Sequence, residues 1–87
     1  MGKISFAEEG WEDYLYWQNQ DKKTLKKINK LIKSIERDGP LSGEGKPEKL
    51  RFREDEYSRR INEEDRLIYS ISDNIIEIRS CRGHYED

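Results

Sequence analysis

Valine is missing from this 87-residue chain, and cysteine and histidine occur once each, as Cys81 and His84. One thiol cannot staple a fold, and one cysteine with one histidine cannot complete a tetrahedral zinc site. No apolar run approaches the roughly 20 residues of a membrane span. The first residues also lack the apolar stretch of a secretory signal, so the cytoplasm is the expected compartment. Large apolar side chains are scarce: Leu, Ile and Phe total 18, while 41% of the chain is charged. That ratio borders on disorder, but a net charge of −2 and nine aromatics, Trp11 and Trp17 among them, return the chain to the folded side. One compact domain over residues 1–87, with a lean core and a heavily charged surface, is expected.

What is present falls into short elements. Ile4 and Phe6 alternate in a first strand. Ser5 and Glu8 have capping-box spacing, which predicts a helix from Ala7 to Gln20 with Trp11, Tyr14, Leu15 and Gln18 on one face. Asp21 is a natural cap for a second, antiparallel helix, Lys22 to Arg37, burying Leu25, Ile28, Ile32 and Ile35. Asp38-Gly39-Pro40 ends it. Residues 41–49 carry Gly43, Gly45 and Pro47 and read as a loop. Strands are predicted over Leu50 to Arg53, Tyr57 to Ile61, Arg66 to Ser72 and Ile75 to Arg82, with Asp73-Asn74 as a two-residue hairpin turn. The fold class is α+β: an N-terminal strand, a two-helix hairpin, then a four-strand antiparallel meander with the helices on one face of the sheet.

The charges are segregated. Lys22, Lys23, Lys26, Lys27, Lys30, Lys33 and Arg37 occupy the second helix, either as a solvated face or as a surface for nucleic-acid phosphates. After Lys49 there is no lysine at all. Arg51, Arg53, Arg59, Arg60, Arg66, Arg79 and Arg82 replace it, and planar guanidinium suits phosphate better than a point charge does. These arginines are expected to line one exposed sheet face. Counting back from the hairpin turn sets Arg66 opposite Cys81, which brings His84 and Tyr85 to the same sheet end as Arg66 and the loop bearing Glu48.

A carboxylate, guanidiniums, an imidazole and a phenol at one edge could cleave RNA without a cofactor or a metal. The RNA's own 2′-hydroxyl attacks the adjacent phosphorus, a base such as Glu48 takes its proton, and an acid such as His84 protonates the departing 5′-oxygen. Arg66 would stabilise the charge on phosphorus, and Tyr85 could stack on a base or orient the phosphate. A solvated turn glutamate and a surface histidine are the plainer readings of the same residues.

The chain resembles the YoeB/Txe-type toxins of bacterial toxin–antitoxin modules, within the RelE-like superfamily. The marks are the run from Trp11 to Gln18, Lys26-Lys27-Ile28-Asn29, Gly45-Lys46-Pro47-Glu48, Ser58-Arg59-Arg60-Ile61, Glu63-Glu64 with Arg66 to Tyr69, and Cys81-Arg82-Gly83-His84-Tyr85. The resemblance implies a ribosome-dependent mRNA endonuclease that cuts the codon in the decoding site. It implies neutralisation by a Phd/YefM-type antitoxin, contact with operator DNA only through the antitoxin complex, no membrane partner, and room for a homodimer. It assigns Glu48 as general base, Arg66 as phosphate clamp, His84 as general acid and Tyr85 as a further site residue. Arg51 and Arg60, with Lys46 and Lys49, would hold RNA phosphates. The rivals are a ParE-like topoisomerase poison and an inactive binding module or operon corepressor. Asp65 before Arg66, Gly83 before His84 and the acidic run 54–56 depart from the family pattern.

Overall fold

Among the described residues, alternating and three-and-four spacings become five strands and two helices: β1 (Lys3–Phe6), α1 (Glu8–Gln20), α2 (Lys22–Asp38), β2 (Glu48–Lys49), β3 (Glu56–Arg60), β4 (Arg66–Ser72) and β5 (Ile75–Ser80). The computed structural model describes residues 2–51 and 53–83. The sheet order is β1-β5-β4-β3-β2. β1 runs parallel to β5, and β2 to β5 form the expected antiparallel meander. Among the described residues no helix is long and apolar enough to cross a membrane.

The entry to α1 differs from the capping-box expectation. Ser5 sits inside β1 opposite Glu77, and Ala7 occupies the cap position without a side-chain bond. The strand ladder wins because it continues into Ala7, whose amide donates to the Ile78 carbonyl at 2.9 Å. Glu8 and Glu9 in the first turn complement the helix dipole instead. The packed face also differs. Gly10 is buried, Tyr14 and Trp17 pack on the core, and Trp11 is 47% exposed, stacked on Tyr14. A Cβ on Gly10 would collide with the Ile78 carbonyl, so α1 lies directly on the β5 backbone. Gly10→Ala is therefore expected to lower the melting temperature, because overpacking costs about 1–3 kcal/mol against a helix-propensity gain of about 1 kcal/mol. A melting temperature at or above wild type would refute this close approach.

Asp21 alone joins the helices. Its amide caps α1 by donating to the Trp17 carbonyl, and its carboxylate accepts from the Lys23 and Thr24 amides at 3.1 and 3.3 Å and from the Thr24 hydroxyl at 2.8 Å. The Tyr14 hydroxyl donates to Asn29 Oδ1 at 2.8 Å, tying residues nearly equidistant from the turn, as antiparallel helices require. The Thr24 bonds hold the Asp21 carboxyl below its ordinary value of 3.8. Because the folded-state value is depressed, its stabilisation is present above pH 3.8 and disappears as pH falls through the lowered value. Asp21→Ala is expected to melt earlier than wild type near neutral pH, with the gap closing in strong acid. A gap that stays constant to low pH would exclude the ionised cap.

The buried stripe of α2 is Ile28, Leu31, Ile32, Ser34 and Ile35, with Leu25 only half-buried. It packs on Ile61, Leu67, Tyr69, Ile76, Ile78 and Cys81. Within this core lies a correction: Arg59, expected on the exposed face, is fully buried. Its partners across β4 are Leu67 side by side and Tyr69 by hydrogen bond, so alternation turns it toward the helices. Its guanidinium makes five hydrogen bonds, to Tyr69 Oη, Ser34 Oγ and the carbonyls of Glu44, Gly39 and Ser42, all at 2.7–2.9 Å. The inward-turned carbonyls of the 39–44 loop need a buried donor, and Arg59 supplies it.

Two strand expectations also shift. The strand predicted over Leu50 to Arg53 is instead Glu48–Lys49, because the chain already turns at Arg51 and at 53–55, where Asp55 takes a left-handed backbone. β5 ends at Ser80, short of Arg82. The Asp73-Asn74 turn forms as expected, both residues having positive φ (49° and 63°), the signature of a type I′ hairpin. A bulge then interrupts the ladder: Tyr69 faces Ile78 but Ile68 faces Ser80, leaving Arg79 as the extra residue. Arg66 therefore does not stand opposite Cys81; its amide donates to the Gly83 carbonyl at 3.0 Å.

Candidate active site

The face of the sheet away from the helices carries exposed Glu48 and Arg60 around a buried Ile68, and register decides which side chains share it. Glu48 pairs with Ser58, Ser58 with Ile68, and Ile68 with Ser80, a row crossing four strands. Two residues further along β3 and β4, Arg60 pairs with Arg66. Glu48, Arg60 and Arg66 thus lie on one face, with Glu48 and Arg66 diagonal to each other at a backbone separation of roughly 12 Å by ordinary strand spacing. Lys46 adjoins them, since the Arg60 amide donates to the Gly45 carbonyl at 2.7 Å. Lys49 does not join this group: it pairs with Tyr57, one step out of alternation with Glu48. Arg51 lies exposed in the turn after β2. His84 and Tyr85 lie outside the described residues.

The Arg66 guanidinium is held by neutral groups. Nη1 donates to the carbonyls of Asn62 and Asp65 at 2.6 and 3.1 Å, and no carboxylate among the described residues pairs with it. Among those residues its charge is oriented without being neutralised, the state in which a cation best receives an external anion. The turn beneath it is built by Asn62, whose Oδ1 accepts from the Glu64 and Asp65 amides at 2.8 Å.

The chain leading into His84 is gripped at several points that sequence reasoning missed. Asp13 Oδ2 accepts from the Cys81 amide at 3.0 Å, and Trp17 Nε1 donates to the Cys81 carbonyl at 2.8 Å. The Arg82 guanidinium lies 3.7 Å from the centre of the Tyr16 ring. Asp65 Oδ1 accepts from the Gly83 amide at 2.8 Å. The available signal was helical spacing: Gly10, Asp13 and Trp17 fall on one stripe, a small residue for approach and two polar tips to seize a backbone. Burial raises the Asp13 carboxyl above its ordinary value, an effect the Cys81 amide partly offsets. The Cys81 thiol is pushed up to about 12 by burial, with the Asp13 and Asp65 carboxylates adding to it, so it is not a nucleophile. Among the described residues no group of three or more His, Cys, Asp or Glu side chains is placed to hold a metal ion.

Residues 6–85 match the model of the YoeB-like toxin of bacterial type II toxin–antitoxin systems. The chain belongs to the YoeB-like toxin family. Among its YoeB relatives, Toxin YoeB of Synechocystis sp. is 55% identical over 97% of this chain and 98% of its own. The YoeB dimer structure from Staphylococcus aureus is 55% identical, with a TM-score of 0.90 over 95% of this chain and 97% of that one. A YoeB-YefM complex from the same organism is 52% identical, with a TM-score of 0.88 over 98% of this chain and 99% of that one. The α+β architecture expected from the sequence is thus also that of solved YoeB toxins.

Proposed function

We propose that this YoeB-like toxin is a ribosome-dependent mRNA endonuclease working by attack of the substrate's own 2′-hydroxyl. The observation that carries the reading is that Glu48 and Arg66 share one sheet face, with the Arg66 charge unpaired among the described residues. A phosphodiester fits in the gap between them. Glu48 takes the 2′-hydroxyl proton as the oxygen bonds to phosphorus. Arg66 binds the non-bridging oxygens, whose charge grows in the transition state. His84 gives a proton to the departing 5′-oxygen, and Tyr85 orients the scissile nucleotide; both roles rest on the resemblance. The products are a 2′,3′-cyclic phosphate and a 5′-hydroxyl. The nucleophile belongs to the RNA, so the reaction as written needs neither metal nor cofactor.

Neutralisation falls to a Phd/YefM-type antitoxin, by analogy with the YoeB-YefM complex from Staphylococcus aureus, and the YoeB dimer from that organism supports a homodimer as well. Operator DNA would be reached only through the antitoxin, and the working compartment is the cytoplasm. The test is induction in cells with mRNA 5′ ends mapped by primer extension. New cuts within codons are expected from wild type and are expected to vanish with Glu48→Ala, Arg66→Ala and His84→Ala. Cuts absent from wild type, or unchanged in all three variants, would sink the nuclease reading. The histidine role adds a pH signature: cleavage slows as pH rises past neutrality, and a flat profile would remove His84 as the acid.

A further inference from the structure

The turn that carries Arg66 also holds the chain one residue before His84. β5 ends at Ser80, and past it Gly83 is bound by two consecutive residues at the start of β4. The Gly83 amide donates to Asp65 Oδ1 at 2.8 Å, and its carbonyl accepts from the Arg66 amide at 3.0 Å. Asn62 Nδ2 donates to the other carboxylate oxygen, Asp65 Oδ2, at 3.1 Å, so the carboxylate is pinned from both sides. The Asn62 and Asp65 carbonyls meanwhile accept from Arg66 Nη1. One short turn thus sets both the direction of the Arg66 guanidinium and the start of the segment that bears His84.

Three observations separate Asp65 from an ordinary turn residue. Asn62 already closes the turn, through its Oδ1 bonds to the Glu64 and Asp65 amides, so the Asp65 carboxylate is not needed for that. Asp65 is the sequence neighbour of Arg66, yet among the described residues the two form no ion pair. By turning to Gly83, the carboxylate leaves the Arg66 charge to an incoming phosphate. Finally, Asp65 and Gly83 are both positions at which the chain departs from the family pattern it resembles, and the two departures are bonded to each other. Gly83 has φ 89°, and among the described residues a Cβ there would touch nothing, so the glycine serves backbone conformation and not space.

We propose that Asp65 is a positioning residue for the proton transfer assigned to His84: by holding the Gly83 amide, its carboxylate fixes where the chain delivers the imidazole relative to the phosphate at Arg66. The inference rests on the nuclease reading above and adds to it the group that keeps acid and phosphate clamp in one frame. The chemical step is unchanged. As the bond from phosphorus to the 5′-oxygen breaks, its electron pair stays on that oxygen, which takes the proton from the imidazolium. Asp65 neither gives nor takes a proton.

The test is single-turnover cleavage on ribosomes programmed with mRNA that carries either the ordinary 5′-oxygen or a 5′-bridging sulfur at the cut position. A thiolate leaves without protonation, so the sulfur substrate reports every role except that of the acid. Asp65→Ala is expected to cut the oxygen substrate about 10- to 100-fold more slowly than wild type, the scale of a misplacement of about 1 Å. Its half-saturating concentration should stay within about twofold, and its rate on the sulfur substrate within about threefold, of wild type. His84→Ala should show the same split with a larger loss, and Asp65→Ala/His84→Ala should be no slower than His84→Ala alone, because the two act as a unit. Asp65→Asn, whose amide oxygen still accepts from Gly83, is expected to recover most of the rate. Glu48→Gln should be slow on both substrates. Asp65→Ser, too short to reach Gly83, carries the same expectations should the alanine variant fail to fold. Equal slowing of both substrates by Asp65→Ala, additive losses in the double variant, or Asp65→Asn as slow as Asp65→Ala overturns the positioning role. Wild type that cuts neither substrate refutes the nuclease reading and this inference with it. Wild type and His84→Ala that behave as described while the Asp65 variants do not refute this inference alone.

Discussion

Arg66→Ala is expected to slow single-turnover mRNA cleavage on programmed ribosomes by about 10²–10³-fold, the usual cost of removing one preorganised donor from a developing oxyanion. The loss should fall on the rate rather than on the fold, because among the described residues the guanidinium holds two carbonyls of the 62–65 turn and lies outside the helix-packed core. Arg66→Lys should recover a minor part: lysine keeps the charge but cannot grip one carbonyl while presenting a planar fork to two phosphoryl oxygens. Glu48→Gln, nearly isosteric, should cost a comparable factor by removing the base. Melting temperatures close to wild type would show that these losses are chemical. An Arg66→Ala toxin that cuts at the wild-type rate would remove the phosphate clamp from the mechanism.

The second large effect concerns stability. Arg59→Met is expected to destabilise the fold by about 3–5 kcal/mol, because it strips the donor from five acceptors and a buried acceptor left unsatisfied costs about 1–3 kcal/mol. Replacing a buried hydrogen-bonded group by an apolar one can be nearly neutral when every partner is replaced with it. Here that escape is closed. Three of the five acceptors are backbone carbonyls, at Gly39, Ser42 and Glu44, which no side-chain change can remove. The Tyr69 hydroxyl, which also donates to the Pro40 carbonyl at 2.7 Å, loses its donor as well. A chain this size has a total stability of about 4–13 kcal/mol, so the variant sits near the folding threshold and should melt on the order of 20 °C lower. Arg59→Lys should rescue less than half, since one ammonium cannot span five acceptors. A drop of only a few degrees in Arg59→Met would show that the 39–44 loop does not depend on this hub.

These two arginines show what could be read from the chain and what could not. The span of β4, the Asp73-Asn74 turn and the Asp21 cap depend on nearest-neighbour spacing, and each forms where spacing puts it. The placing of Arg66 beside the segment that leads to His84 was also legible, because it needs only the hairpin's general course. The bulge at Arg79 was not, since an extra residue in a ladder leaves no mark in an alternating pattern. Nor was the burial of Arg59. Alternation puts it on the core side, but a buried guanidinium becomes favourable only once a distant loop turns its carbonyls inward, which is a tertiary fact. Gly10 and Ser5 follow the same logic: contact with β5, a strand nearly seventy residues away in sequence, overrides the local helix-start signal. Net charge was the least informative quantity, because an average of −2 conceals the gathering of lysines on α2 and of arginines after Lys49.

The central claim is chemical, and the ends of the cut RNA test it most directly. Purified toxin is added to ribosomes programmed with an mRNA whose decoding-site codon carries either ribose or a single 2′-deoxyribose at the cut position. The account predicts a 5′-hydroxyl on one fragment, a 2′,3′-cyclic phosphate on the other, and no cleavage at the deoxy-substituted position. Cleavage that persists at the deoxy position, or fragments ending in a 5′-phosphate and a 3′-hydroxyl, would mean that water or another nucleophile attacks phosphorus and would contradict it.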